Sequence, residues 1–332
     1  MDTPTRADYV HIYFTLFDRF EQAHPPTTRR GRRFTYVQRL LIVVFTCMLM
    51  RRITEFNTQQ RWLTTHPDDA RQLGFATIPH RTTLMRRYKR LAVTIEAFVA
   101  FVGTWAETVD AACASDVVAV DGTLFKARGP VWHQTDRAQG RVPEKLRNLD
   151  QDASWGKSGY HGWVYGYRLH LTCNLAGFPK LVQVTTGSTA ESTVLDQQED
   201  ALFRVAPGVV VGDNAFCKAR RIRRWAKRGV LLVTPAAKWR QGRHARAYHR
   251  FLKEPEVARW LAARRTAIEP VFDLFRHVLG TKGLQKQLPV AGLPTVQPFL
   301  GLGVLAVQLA MLVNNIWGYP FREVSHILAA FS

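Results

Sequence analysis

Cysteine is scarce in this sequence. The 332 residues contain four cysteines, Cys47, Cys113, Cys173 and Cys217, which stand far apart and form no Cys-x-x-Cys pair. This excludes a disulfide scaffold and disfavours a structural zinc site. So few cysteines are typical of a reduced compartment, and we expect the protein in the cytoplasm.

Long apolar runs are missing as well. The run from Leu40 to Met50 has eleven residues, whereas a bilayer-spanning helix needs about 20. A longer stretch, 299–313, is interrupted by Gly301, Gly303 and Gln308. Both stretches predict buried helices, and no membrane partner is expected. The first ten residues have no basic stretch leading into an apolar one, so we expect no signal peptide.

Acidic residues are outnumbered, with 26 Asp and Glu against 46 Lys and Arg, a net charge of +20 and a pI near 10.4. Such an excess predicts a partner rich in phosphate. The net charge is +6 over 1–114, −1 over 115–214 and +15 over 215–332. Residues 214–253 carry 13 Lys and Arg and no acid. A run of one sign favours a polyanion-binding surface over a solvated helix, which usually mixes both signs.

The hydrophobic period changes near residue 115. Before it, apolar residues recur at three- and four-residue spacing, which predicts helices. Residues 74–90 have the outline of a helix-turn-helix, with Arg86, Arg87 and Arg90 on or just after the second helix. An ordinary helical linker has the same pattern and remains the alternative.

Short β-branched strands, a hairpin around Gly177 and intervening helices follow residue 115. Because hairpins pair antiparallel and crossover units pair parallel, this order predicts an α/β fold with a mixed sheet. The last predicted helix of this part spans 254–279.

Two aspartates follow short apolar strands in this part of the chain. Asp121 comes directly after Val-Val-Ala-Val and Asp213 after Val-Val-Val-Gly, and ligands bind at the carboxyl ends of strands in open α/β sheets. Aspartate also caps turns, which is the alternative for each residue alone. Two such aspartates in a phosphate-binding chain favour a site for Mg²⁺ or Mn²⁺.

Glu269 is the third candidate acid. Arg265 and Arg276 lie four residues before it and seven after it, so the three side chains share one helical face suited to a metal and a phosphate. Pro270 predicts a kink, or a new helix that begins there. Asp273 could compete for the metal, although pairing with a nearby arginine is favoured. An ordinary exposed ion pair is the alternative for Glu269.

These residues resemble a known family. Asp121 in VVAVDGTLFKARG, Asp213 in VVVGDNAFCKAR and Glu269 in ARRTAIEPVFDLFRHVLG are similar to the three acidic motifs of DDE-class transposases of bacterial insertion sequences, of the insertion sequence four/five type. Residues 155–171 resemble the stretch that precedes the second strand in those enzymes. Related enzymes often carry Tyr, Arg, Glu and Lys around the third acid. Here Ala262 holds the Tyr position and Arg276 the Lys position.

The resemblance implies an RNase H-like mixed sheet flanked by helices, within three regions. These are a helical DNA-binding region at 1–114, the catalytic domain at 115–285 and a C-terminal helical segment at 286–332. It also implies two Mg²⁺ or Mn²⁺ ions held by Asp121, Asp213 and Glu269, double-stranded DNA as partner, and a homodimer that joins two element ends.

The expected chemistry is metal-assisted phosphoryl transfer, in which water nicks the element end and the freed 3′-hydroxyl attacks target DNA. A metal nuclease that cuts without joining and a catalytically silent DNA-binding regulator remain alternatives. The residues expected to contact DNA phosphates are all basic: Arg265, Arg276, Lys218, Arg220, Arg221, Arg224, Lys126, Arg128, Arg86, Arg87 and Arg90.

Overall fold

The computed structural model describes residues 3–25, 35–114, 116–159, 162–205, 208–236, 241–282 and 286–332. Helices come first along the chain, then a sheet with its own helices, then helices again. The first group consists of α1 (Arg6–Ala23), α2 (Gln38–Met50), α3 (Phe56–Thr65), α4 (Pro67–Gln72), α5 (Arg81–Tyr88) and α6 (Ala92–Trp105). The basic helix predicted within 74–90 is α5, which packs against α3. Its use in reading DNA stays a prediction.

The strands of the described residues form one mixed sheet. They are β1 (Val117–Lys126), β2 (Ser154–Ser158), β3 (Gly162–Asn174), β4 (Pro179–Thr186), β5 (Val209–Val211) and β6 (Leu231–Val233). The order is β2-β3-β1-β5-β6, and β4 pairs with β3 on the same edge as β2. β1, β3 and β4 pair antiparallel, whereas β1, β5 and β6 are parallel. The hairpin predicted around Gly177 and the mixture of pairing modes are confirmed.

β1 is longer than the sequence predicts. The prediction that it ends at Asp121 is wrong, because backbone pairing with β3 continues as far as Lys126. Its pairing with β5 covers Val117–Ala119 alone. β1 therefore runs on beside an opening in the sheet, and Asp121 lies in mid-strand at that opening.

Helices cover both faces of this sheet. Side chains alternate along a strand, so Val118 and Val120 lie on one face of β1 with α8 (Glu191–Gln197), α9 (Glu199–Arg204) and α10 (Ala219–Ala226). Ala119 and Asp121 lie on the other face, which packs against α12 (Pro255–Leu279), α13 (Leu293–Trp317) and α6. The described chain also contains α7 (Gln134–Ala138), α11 (Arg243–Phe251) and α14 (Ser325–Phe331).

α13 is a core helix. It is long and apolar enough to cross a membrane by length and composition, but 94% of its most apolar window is buried inside the protein. Gln308, a buried polar residue of this helix, donates from Nε2 to the carbonyls of Val99 and Pro179 at 3.0 and 2.9 Å. These bonds satisfy the buried N–H groups of the amide, which would otherwise cost free energy. The prediction of buried helices at 40–50 and 299–313 is confirmed.

α12 continues through Pro270 as one helix, so of the two predicted alternatives, a kink or a new helix, the new helix is wrong. Proline cannot donate to the carbonyl four residues earlier, which here belongs to Thr266. The guanidinium of Arg322 supplies that hydrogen bond from Nη1 at 2.7 Å and also donates from Nε to the carbonyl of Ala176 at 2.7 Å. Arg322 thus ties the middle of α12, next to Glu269, to the turn between β3 and β4.

Candidate active site

A cavity of about 830 Å³ opens where β1 runs past β5. Its walls come from β1, the end of β2, the turn after β5, α8 and the exposed face of α12. All three predicted acids lie on this cavity, together with Glu191 and Asp273 as further acids and with four basic side chains: Lys157, Arg168, Arg265 and Arg276. Residues up to 155 positions apart in sequence therefore share one polar cleft.

Asp121 is more enclosed than Glu269, whose side chain is 49% exposed. Its carboxylate accepts from the Gly122 N–H at 2.8 Å and from Arg264 Nη1 at 3.0 Å, and the side chains of Asp121 and Arg264 are 19% and 18% exposed. Burial raises the pKa of Asp121 to about 6, and the positive charge of Arg264 opposes that rise. The negative charge of Asp213 adds to it, as two acids in one cleft require.

Asp213 follows β5, as the sequence predicts. One carboxylate oxygen accepts from the Ala215 N–H at 2.7 Å and caps a short 3₁₀ turn. The capping alternative is thus realised, but it uses Oδ1 and leaves Oδ2 for other partners. Next to it, the side-chain oxygen of Asn214 is buried with no hydrogen-bond partner among the described residues.

Glu269 lies on the cavity face of α12 with Arg265 and Arg276, so the shared face predicted from their spacing is confirmed. Arg265 Nε donates to both Glu269 oxygens at 3.0 and 3.1 Å. Arg276 donates to Thr123 Oγ1 at 2.7 Å and pairs with Asp273 at 3.4 Å. Asp273 therefore has the arginine partner that the sequence favours.

Sequence reasoning missed Arg264, Arg168 and Glu191. Glu191, the first residue of α8, forms an ion pair with Arg168 of β3, and their side chains are 12% and 11% exposed. Burial raises the pKa of Glu191 to about 7; Arg168 lowers it, while Asp121 and Asp213 raise it. Nothing in the spacing of these residues indicates that they meet, because β3 and α8 come together only through the sheet.

A family model for the transposase DDE domain matches residues 113–281, half of the chain. The protein belongs to the DDE transposase family. No curated protein and no solved structure gives a match. The matched range contains the whole sheet, α12 and every acid of the cavity. The fold is compatible with the RNase H-like core expected for this family.

DDE transposases use divalent metal ions, and the carboxylate oxygens of the cavity are donors that suit Mg²⁺ or Mn²⁺. As they stand, the described residues hold no group of three acids, histidines or cysteines arranged to bind a metal. Arg264 forms an ion pair with Asp121, and Arg265 forms an ion pair with Glu269. The carboxylate oxygens are donors that fit a hard cation, and a cation bound there would compete with these two guanidinium groups.

The basic residues predicted to contact DNA are spread over the DDE transposase rather than gathered in its cavity. Arg265 and Arg276 line the cavity. Lys126 ends β1 half-buried, and Arg128 pairs with Glu55 at 3.1 Å. Arg86 and Arg90 are exposed near α5, and Arg87 is half-buried.

The basic run at 214–253 forms ion pairs with acids that lie outside the run in the sequence. Lys218 and Arg224 pair with Asp196 at 3.3 Å, while Arg220 is exposed. Arg221 is 1% exposed and its guanidinium is held by Asp196, Ser192 and Phe216. Arg221 therefore has no surface to offer to DNA, and we leave it out of the contacting set. Lys238 and Arg240 lie outside the described residues.

Proposed function

We propose that this DDE-family protein is the transposase of a bacterial insertion sequence, which binds the element ends and catalyses DNA cleavage and strand transfer. The observation that carries the proposal is the convergence of Asp121, Asp213 and Glu269 on one cavity with a basic rim. The three residues come from a strand, a post-strand turn and a helix. Their positions fit an RNase H-like core and the acidic motifs of the insertion sequence four/five type.

The three acids would hold two Mg²⁺ or Mn²⁺ ions, which would activate the attacking oxygen and stabilise the leaving oxygen. Arg265 and Arg276 would bind DNA phosphates on the same helical face, since guanidinium groups form bidentate hydrogen bonds with phosphate. Lys157, exposed on the opposite wall, would bind the other side of the backbone. Asp121 would be held in place by the Gly122 N–H, which keeps one of its oxygens fixed.

Contacts farther from the cavity would hold double-stranded DNA in register. The exposed candidates are Lys218, Arg220 and Arg224 near α10, Arg128 beyond β1, and Arg86 and Arg90 near α5. Lys126 and Arg87 are half-buried and could add their amino or guanidinium groups at the surface. A homodimer would place two such sites on the two ends of one element.

A strand-transfer assay with pre-cleaved ends and Mn²⁺ tests the proposal. A transposase joins the ends to target DNA, a metal nuclease cuts without joining, and a regulator binds and does neither. Joining supports the proposed function. Cutting alone or binding alone overturns it in favour of the corresponding alternative.

A further inference from the structure

Gly122 makes room for an acidic side chain beside Asp121. A Cβ at this position would lie 2.7 Å from Glu191 Oε1, closer than a real Cβ approaches an oxygen. Because side chains alternate along β1, residue 122 faces α8 while Asp121 faces α12. Glu191 therefore reaches the cavity from the face opposite to Arg264 and Glu269.

Arg168 clamps Glu191 in this position. Its Nη1 donates to Glu191 Oε1, and its Nη2 donates to the carbonyl of Lys157 at 3.3 Å, so the clamp joins α8 to β2 and β3. The hydrogen bond and the ion pair of Glu191 with Arg168 both use Oε1. Arg168 Nε is buried without a described partner. One oxygen of Glu191 is thus fixed, and the residue lines the cavity.

We propose that Glu191 is a positioning residue of the catalytic site, which would orient water bound to a divalent cation held by the acids of this cavity. The inference rests on the proposed function and adds a fourth acid to it. The described residues hold no group of three acids, histidines or cysteines arranged to bind a metal directly, so Glu191 is not assigned as a direct ligand. Its carboxylate would act through cation-bound water, as outer carboxylates do in other metal sites.

Mn²⁺ binding to the full chain, measured by the electron paramagnetic resonance of free Mn²⁺ without DNA, tests this role. Glu191→Gln keeps the size of the side chain and an acceptor for Arg168 but removes the charge. We expect its Mn²⁺ affinity to fall roughly 10- to 100-fold. In strand transfer, the half-saturating Mn²⁺ concentration should rise by a similar factor, and excess Mn²⁺ should restore the rate.

Glu199→Gln is the matched control. Glu199 is 14% exposed and pairs with Arg224 and with Arg228 at 3.1 Å, but it lies outside the cavity. Its loss should leave Mn²⁺ binding unchanged. If Glu191→Gln does not fold, Gly122→Ala provides a second route, because its methyl group would push the flexible end of Glu191 away from β1.

The outcomes separate the two proposals. If the parent protein binds Mn²⁺ and joins DNA while Glu191→Gln binds Mn²⁺ within twofold of the parent, the role of Glu191 is overturned and the proposed function stands. If the parent neither binds Mn²⁺ nor joins DNA, the proposed function itself fails. A weakened Mn²⁺ affinity in both Glu191→Gln and Glu199→Gln also overturns the role, because the effect would then be general.

Discussion

Arg264 forms an ion pair with Asp121, and replacing Arg264 by methionine should lower the free energy of unfolding by a predictable amount. The pair is 3.0 Å apart and both side chains are less than one-fifth exposed. A hydrogen bond to a charged group contributes about 1.5–3 kcal/mol. Without Arg264, Asp121 keeps the Gly122 N–H as its partner. We therefore expect Arg264→Met to lower the free energy of unfolding by about 1.5–3 kcal/mol in EDTA.

Urea unfolding with and without Mn²⁺ measures this effect. A cation that binds Asp121 must first displace Arg264, so saturating Mn²⁺ should remove at least half of the difference between Arg264→Met and the parent. Arg259→Met is the control, because Arg259 is exposed on the same helix. In an Asp121→Asn background, the cost of Arg264→Met should fall below about 1 kcal/mol, since a neutral amide needs no counter-charge. Equal stabilities of Arg264→Met and Arg259→Met would refute the reasoning.

Three further outcomes are expected. Burial raises the pKa of Glu96 from 4.5 to about 7. The ionised form is therefore disfavoured in the folded protein, and the stability of the parent falls as pH rises between these values. In urea unfolding, Glu96→Gln should be more stable than the parent by about 1–3 kcal/mol at pH 8 and equally stable at pH 4. Arg322→Met should cost about 1.5–3 kcal/mol, and less in a Pro270→Ala background, where residue 270 donates to Thr266; additive costs would contradict this. DNA affinity should fall with salt at a slope of about −0.9 per neutralised phosphate, and a flat profile would exclude phosphate contacts.

Local sequence patterns were sufficient for the helical face of Glu269 and for the turn at Asp213. Both depend on residues that are close in sequence: the spacing of Arg265, Glu269 and Arg276, and an aspartate after Val-Val-Val-Gly. The buried helix α13 was predictable for the same reason, since its apolar residues are concentrated in one stretch, 299–313, despite the interruptions at Gly301, Gly303 and Gln308.

The features that sequence patterns missed depend on partners distant in the chain. β1 continues beyond Asp121 through a polar Asp-Gly-Thr stretch because β3 supplies its hydrogen bonds. α12 continues through Pro270 because Arg322, 52 residues later, donates to Thr266. Neither partner is visible in a local window of residues.

Charge counting missed a similar pairing. The run at 214–253 has no acid of its own, but Asp196 and Glu199 reach its arginines from α8 and α9. The sequence did not indicate Glu191 as a cavity residue, because its position depends on the ion pair with Arg168 and on the absence of a side chain at Gly122. A count of charge along the chain indicates a phosphate-binding protein. Which basic side chains remain available for phosphate depends on the ion pairs that form when the chain folds.

The central claim is that Asp121, Asp213 and Glu269 act together in metal-dependent strand transfer. The most direct measurement is joining of pre-cleaved ends with Mn²⁺ by Asp121→Asn, Asp213→Asn and Glu269→Gln, with exposed Asp200→Asn as control. Loss of several kcal/mol of transition-state stabilisation predicts rates at least about 100-fold lower for each of the three and an unchanged rate for the control, with DNA binding retained. Full joining activity in any of the three acid variants would contradict the claim.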